Sequence, residues 1–227
     1  MQDVITLRDL SMILSAAGNS FPVLSIPEWR LEAGRQVALS GPSGCGKTTF
    51  LHILAGLLSP TGGSVEICGR RLDQMTEAEL DSFRAGHIGY IFQSLNLLQG
   101  FTALENVLLG ISFSGKKVDK EAAKLLLERV GLADRMRHCP AQLSMGQQQR
   151  VAVARSLVNK PALILADEPT GSLDPVNSSA VIDLIREVCS EEKCSLVLVS
   201  HEQDVVARFE EAVPFLELNI AFAGAPR

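Results

Sequence analysis

Short apolar runs alternate along the chain with stretches of helical spacing. The runs at 4–10, 36–40, 88–92, 162–166 and 195–200 predict strands. Those at 163–166 and 196–199 are unbroken, as expected of strands covered on both faces. Apolar positions three and four apart predict helices over 47–58, 121–130, 147–158 and 178–189. This alternation predicts an α/β chain with a mostly parallel sheet. Between Gln93 and Lys160 the strand signal vanishes and helical spacing takes over, which predicts a helical insert at 93–160 between core segments 1–92 and 161–227. Segment 15–21, with Gly18-Asn19 as its turn signal, predicts the tip of a hairpin.

Composition narrows the class. The 227 residues suffice for one large domain without a disulfide or metal staple. With 21 basic and 26 acidic residues the net charge is −5, the wrong sign for a chain whose main partner is a nucleic-acid backbone. The five cysteines are odd in number and form no CxxC pair, so neither a disulfide framework nor a zinc site is expected. The N-terminus lacks a secretory pattern, and no run reaches the roughly 18 to 20 apolar residues of a membrane span. About 26 residues follow the last strong motif, and no further regulatory domain is expected in them.

The chemistry starts at Gly41-Pro42-Ser43-Gly44-Cys45-Gly46-Lys47-Thr48, which fits GxxxxGK[ST] between a predicted strand and a predicted helix. Glycines let backbone N–H groups curl around an anion, and the helix N-terminus adds partial positive charge. Lys47 is expected to reach the β- and γ-phosphates of a nucleotide and Thr48 to ligate Mg²⁺, with Thr49 beside them. Cys45 is either a small filler or a thiol activated beside a helix N-terminus, which maleimide would label and ATP protect. Downstream, the apolar run Leu163-Ile164-Leu165-Ala166 ends in Asp167 and Glu168. Ligands of parallel sheets gather at the carboxyl ends of strands. Asp167 therefore suits Mg²⁺, and Glu168 suits a general base that polarises an attacking water.

Leu143-Ser144-Met145-Gly146-Gln147 precedes a predicted helix. Ser144 followed by Gln147 is a capping box, so this is a second helix start able to hold an anion. A simple kinase or GTPase has no need of it.

These motifs, in this order, resemble the ATP-binding subunit of an ABC transporter. The likeness runs through Gln93 of a Q-loop (Ile91-Phe92-Gln93), the signature at 143–147, a D-loop Ser172-Leu173-Asp174 and a switch His201 in Val199-Ser200-His201. Segments 88–93, 96–98, 102–107 and 138–140 resemble the lipoprotein-release and macrolide-export type. The resemblance implies a P-loop NTPase (RecA-like) core with a mainly parallel sheet, an N-terminal antiparallel β part and a helical signature subdomain. It also implies a homodimer that traps two ATP molecules, each between the phosphate loop of one subunit and Ser144, Gly146 and Gln147 of the other. Glu168 would activate water, His201 would hold the γ-phosphate, Gln93 would contact Mg²⁺, and Asp174 would couple the subunits. The chain would be cytoplasmic, peripheral on the inner face of the membrane, and would drive integral membrane permease subunits. The apolar surface of 95–101 would suit a partner's coupling helix.

Two positions depart from the family pattern. Met145 stands where the signature usually has Gly, adding bulk and removing easy access to positive φ, so a weakened site is expected. Leu14 falls where an adenine-stacking aromatic is usual, with Phe21 either a substitute or a core residue. A nucleotide-gated scaffold, or an ABC-type ATPase that does not drive transport, is the competing function, and turnover with a membrane partner separates the readings.

Overall fold

A computed structural model describes residues 2–16, 19–112, 118–171 and 173–222. The elements run β1 (Asp3–Ala16), β2 (Asn19–Glu32), β3 (Gln36–Ser40), α1 (Lys47–Leu54), β4 (Gly62–Ile67), β5 (Arg70–Arg71), α2 (Glu77–His87) and β6 (Ile88–Ile91). Then come α3 (Ala103–Ser112), α4 (Lys120–Arg129), α5 (Met145–Leu157), β7 (Leu163–Asp167), α6 (Pro175–Glu191), β8 (Ser195–Ser200), α7 (Gln203–Val206), β9 (Glu211–Pro214) and α8 (Phe215–Leu218).

Two sheets divide these strands. One is antiparallel, in the order β2-β1-β4-β5, and the other is parallel, in the order β6-β7-β8-β3-β9. Strand alternation gives the parallel sheet two buried faces. Leu39, Leu163, Leu165, Val197 and Val199 pack with α1 and the antiparallel sheet. Ala38, Ile164, Ala166, Leu196 and Leu198 pack with α6 and α7 on the other side. A third cluster joins α3, α4 and α5 around Val107, Leu127 and Val151. Phe50 of α1 anchors the first core, its ring centroid 5.6 Å from that of Trp29 and 5.4 Å from that of Phe215.

Several boundaries differ from the sequence expectation. Helix α1 stops at Leu54 rather than 58, because Gly56 turns left-handed (φ 63°) and Leu57 N–H returns to the His52 carbonyl at 2.8 Å. The ribbon β1–β2 stays paired out to Ala16 and Asn19, so 15–21 is mostly strand, and the expected turn at Gly18 lies outside the described residues. The first strand signal, 4–10, lies in the antiparallel sheet, as the resemblance implied for the N-terminal part. Helix α3 falls inside the helical stretch expected at 93–160 and strand β2 inside the expected N-terminal antiparallel part, while helix α2 and strands β4 and β9 were not assigned from the sequence.

Candidate functional site

The parallel register brings three strand ends together, since Ser40 pairs with Ser200 and Asp167 with Val199. The phosphate loop leaves β3, the acidic pair ends β7, and His201 follows β8, so residues far apart in sequence face one crevice.

The loop takes left-handed turns at Gly44 (φ 80°) and Gly46 (φ 97°), where a side chain would be strained. A β-carbon on Gly46 would also stand 3.1 Å from the Val23 carbonyl oxygen. Ser43 is exposed on the loop, Thr48 is exposed at the start of α1, and Thr49 is half-buried behind it. Lys47 is only 5% exposed, and its Nζ donates to the carbonyl oxygens of Gly41 (2.8 Å) and Pro42 (2.9 Å). That ammonium also lies 3.8 Å from Glu168 Oε1, while Glu168 Oε2 is 3.0 Å from His201 Nδ1. Lys47, Glu168 and His201 thus form one chain of charged and titratable groups.

Asp167 is a different carboxylate. It is buried, and Thr48 Oγ1 donates to its Oδ1 at 3.2 Å. Burial pushes its pKa up and the neighbouring Glu168 charge adds to this, while the Thr48 bond pulls the other way. A buried acid whose charged form is held by one hydroxyl suits a cation. Among the described residues no group of three or more His, Cys, Asp or Glu could hold a metal by itself. One hydroxyl and one carboxylate fit Mg²⁺, which keeps waters and takes phosphate oxygens rather than an all-protein cage. Gln93 Nε2 lies 3.8 Å, and Glu168 Oε2 3.9 Å, from the point a β-carbon on Gly171 would occupy, so both flank that glycine.

The signature segment sits elsewhere in the chain's surface. Ser144 caps α5, its Oγ accepting from Gln147 N–H (3.3 Å) and its own N–H donating to Gln147 Oε1 (3.0 Å). The Ser144 hydroxyl proton is thus still available to an anion. Gly146 packs against the start of α6, where a β-carbon would come 3.7 Å from Asn177 Oδ1. Asp174 Oδ1 accepts from Asn177 N–H at 3.1 Å, and Ser172 of the same motif lies outside the described residues. Met145 is 46% exposed as the first residue of α5 and is not among the positive-φ residues, so the conformational freedom of Gly is not needed there.

Cys45 resolves toward the filler reading. Its thiol is buried, and a β-carbon on Gly41 would meet its Sγ at 3.0 Å. We expect maleimide on the native protein to label the half-buried Cys68 and Cys139 first, with Cys45 labelled only on unfolding. Peptide mass spectrometry checks this, and early ATP-protected labelling of Cys45 would restore the activated-thiol reading.

One residue that holds the loop escaped the sequence reading. Asn219 is buried, and its Nδ2 donates to Val23 O (2.9 Å) and Cys45 O (3.3 Å) while its Oδ1 accepts from Ser25 N–H (2.8 Å). It pins the phosphate loop to β2. No motif flags a lone Asn more than 170 residues downstream of its partners.

The comparisons with known proteins agree with this geometry. The sequence profile described as ABC transporter matches residues 24–171. The chain is 43% identical over 208 residues to the lipoprotein-releasing system ATP-binding protein LolD of Treponema denticola, covering 91% of this chain and 92% of that protein. It is 46% identical over 212 residues to the LolD of Shewanella denitrificans, covering 92% and 91%. The macrolide export ATP-binding/permease protein MacB of Rhodopirellula baltica is 41% identical over 214 residues, which span 92% of this chain and 31% of that longer protein. Among solved structures, a dimeric ATP-binding cassette in a post-hydrolysis state bound to ADP and Pi superposes with a TM-score of 0.86 at 32% identity, covering 96% of this chain and 95% of that one. The chain belongs to the ABC transporter family and is an ATP-binding, ATP-hydrolysing subunit of it.

Proposed function

We propose that this chain is the motor of a lipoprotein-releasing or exporting assembly, powering an integral membrane permease from the inner face of the membrane. The observation that carries the reading is the line Lys47–Glu168–His201 beside Thr48–Asp167 at aligned strand ends. The relatives' names supply the process, and no helix among the described residues is long and apolar enough to cross a membrane.

The residues divide the work. Gly41 to Thr49 cradle the phosphates, with Lys47 neutralising the β- and γ-oxygens. Thr48, Asp167 and Gln93 hold Mg²⁺, which when bound spreads charge from the phosphates. Glu168 takes the proton of the attacking water, and His201, against the same carboxylate, holds that water and the γ-phosphate. Ser144, Gly146 and Gln147 serve the nucleotide of a second copy, with Asp174 near that junction. The helical stretch 93–160 then acts as a signature subdomain on the 1–92 and 161–227 core. Phe21 pairs directly across the ribbon from Leu14, both half-exposed, and opposite residues of such a pair share a face, which makes Phe21 the ring available to the adenine.

Two measurements test this. The chain, tagged and extracted from membranes, is expected to bring an integral membrane protein with it, and its recovery without one would sink the transport reading. Asp167→Asn is expected to raise the Mg²⁺ needed for half-maximal turnover at least about tenfold, and an unchanged Mg²⁺ requirement would remove Asp167 from the metal site.

A further inference from the structure

Helix α6 ends on a turn bracketed by two cysteines. Cys189 and Cys194 are both free and buried, in the core cluster on the α6 side of the parallel sheet. Cys194 N–H donates to the Cys189 carbonyl at 3.0 Å, and Lys193 N–H donates to the Ser190 carbonyl at 3.2 Å. Between them Lys193 is left-handed, with φ 55°. Two such bonds around one left-handed residue make a Schellman motif, which brings the side chains at the places of Cys189 and Cys194 into contact. With standard backbone dimensions, a 3.0 Å bond between these groups leaves the two Cα atoms at most about 7 Å apart, the limit of what a disulfide can span. The thiols do meet. Cys189 S–H donates to the Cys194 sulfur, and that bond holds Cys194 below the ordinary thiol range, while Cys189, which gives the proton and is buried, is pushed up.

Access and consequence both come from the turn itself. Residues 190–193 are exposed, and helix ends fray, so the pair lies directly beneath a segment that opens. Glu191 and Glu192 stand between the cysteines, and both pair with Arg129 of α4, Glu192 Oε1 lying 3.2 Å from its Nη1. Arg155, by contrast, makes its bonds inside the helical stretch, to Asn96 O (2.7 Å) and Leu95 O (2.8 Å). Arg129 crosses from that stretch to the core, and in doing so closes the turn over the two thiols.

We propose that Cys189 and Cys194 are a redox site that closes to a disulfide under a peroxide and reopens under a thiol, with Arg129 gating it. The Cys194 thiolate attacks one peroxide oxygen and the O–O bond breaks, leaving a sulfenic acid on Cys194 and a hydroxide that takes up the proton Cys194 had given up. The Cys189 sulfur then attacks the Cys194 sulfur, the S–O bond breaks, and the Cys189 proton leaves with that oxygen as water. Two thiols lose two hydrogens, and the peroxide is reduced to two waters. The new bond draws the sulfurs to about 2.05 Å, well inside hydrogen-bond contact, so the turn shifts and carries Glu191 and Glu192 with it. The bridge therefore loosens the hold on Arg129 and, through α4, on the helical stretch that bears the signature.

The test treats the intact, reduced chain with hydrogen peroxide, quenches with acid and digests without reduction. Trypsin cuts after Lys193, so the bridge is expected as peptide 187–193 linked to 194–208, a species that dithiothreitol abolishes. Arg129→Met is expected to speed its formation about threefold, in keeping with the loss of an exposed ion pair. ATP turnover of the bridged wild type is expected to fall about threefold and to recover with dithiothreitol, whereas Cys189→Ala under the same peroxide keeps its turnover. No linked peptide at a dose that oxidises the half-buried Cys68 and Cys139 would overturn the proposal, as would a link that joins two molecules on a non-reducing gel. An unchanged rate in Arg129→Met would remove the gate. Turnover that ignores the bridge, or a loss that Cys189→Ala shares, would remove its effect on the ATPase.

Discussion

Glu168→Gln is expected to cut ATP turnover by roughly 10²- to 10⁴-fold, the usual worth of a positioned general base, while ATP binding survives or tightens. Binding survives because Lys47 keeps its bonds to the Gly41 and Pro42 carbonyls and the loop geometry does not depend on Glu168. It tightens because an acid next to Lys47 competes with the γ-phosphate for the same ammonium, and Gln removes that negative charge. The amide keeps the size of the carboxylate and can still hydrogen-bond His201, so the neighbouring groups stay in place. With hydrolysis blocked, an ATP-bound dimer is expected to accumulate, visible by size-exclusion chromatography with Mg²⁺ and ATP. Turnover within about threefold of wild type would remove Glu168 from the base role.

The backbone at this position supports a functional origin. Glu168 has φ 42°, a left-handed conformation that a non-glycine residue adopts at a cost of roughly 1–2 kcal/mol. Its N–H is held by the Val199 carbonyl at 3.0 Å, and its own carbonyl accepts from Gly171 N–H at 3.2 Å. Sheet and turn together force the bend that aims the carboxylate between Lys47 and His201.

Much of this crevice is legible in the sequence, because its parts obey local rules. Strands at 36–40 and 195–200 match the observed β3 and β8 to the residue, since a continuous apolar run bounded by polar residues has no other comfortable place. The capping box at Ser144 and Gln147 forms as read. The same rule holds at two further helix starts. Thr76 with Glu79 and Thr102 with Glu105 are both T-x-x-E boxes, and both form, with Thr N–H to Glu Oε2 distances of 2.8 Å. Helices α2 and α3 start there.

Strand β2 was hidden for a different reason. Pro22 and Pro27 argue against a strand in the middle of a sheet, but β2 is the edge of its sheet, where a missing N–H costs little. The one-sided burial of its inner half, with Leu24 and Ile26 inside, is decided by α1 and the phosphate loop rather than by anything local. Arg155 and Asn219 are invisible in the sequence on the same principle. Each acts on carbonyl oxygens of remote segments, and a carbonyl carries no residue identity to read.

Gly89→Ala tests the joint between the helical segment and the sheet. Gly89 lies mid-strand in β6, paired with Ile164 of β7. A β-carbon there would stand 2.3 Å from the Ser156 carbonyl oxygen and 2.4 Å from Ile164 Cδ1. The two contacts differ in kind. A side-chain methyl can swing aside, whereas the carbonyl belongs to the backbone of α5, so the whole helix must retreat from the sheet. We expect a loss of about 3 kcal/mol, the upper part of the range for overpacking a close-packed interior, read as a shift of the urea midpoint. The second variant, Gly89→Ala with Ile164→Val, removes the yielding contact and leaves the rigid one, so it should recover less than about 1 kcal/mol. Ser156 adjoins Arg155, and the displaced helix begins at the signature, so the surviving folded protein should also lose ATP-driven dimerisation. A destabilisation below about 1 kcal/mol, or full recovery in the double variant, would mean that α5 does not rest directly on β6, and the tie between signature and sheet would have to run through the Arg155 bonds alone.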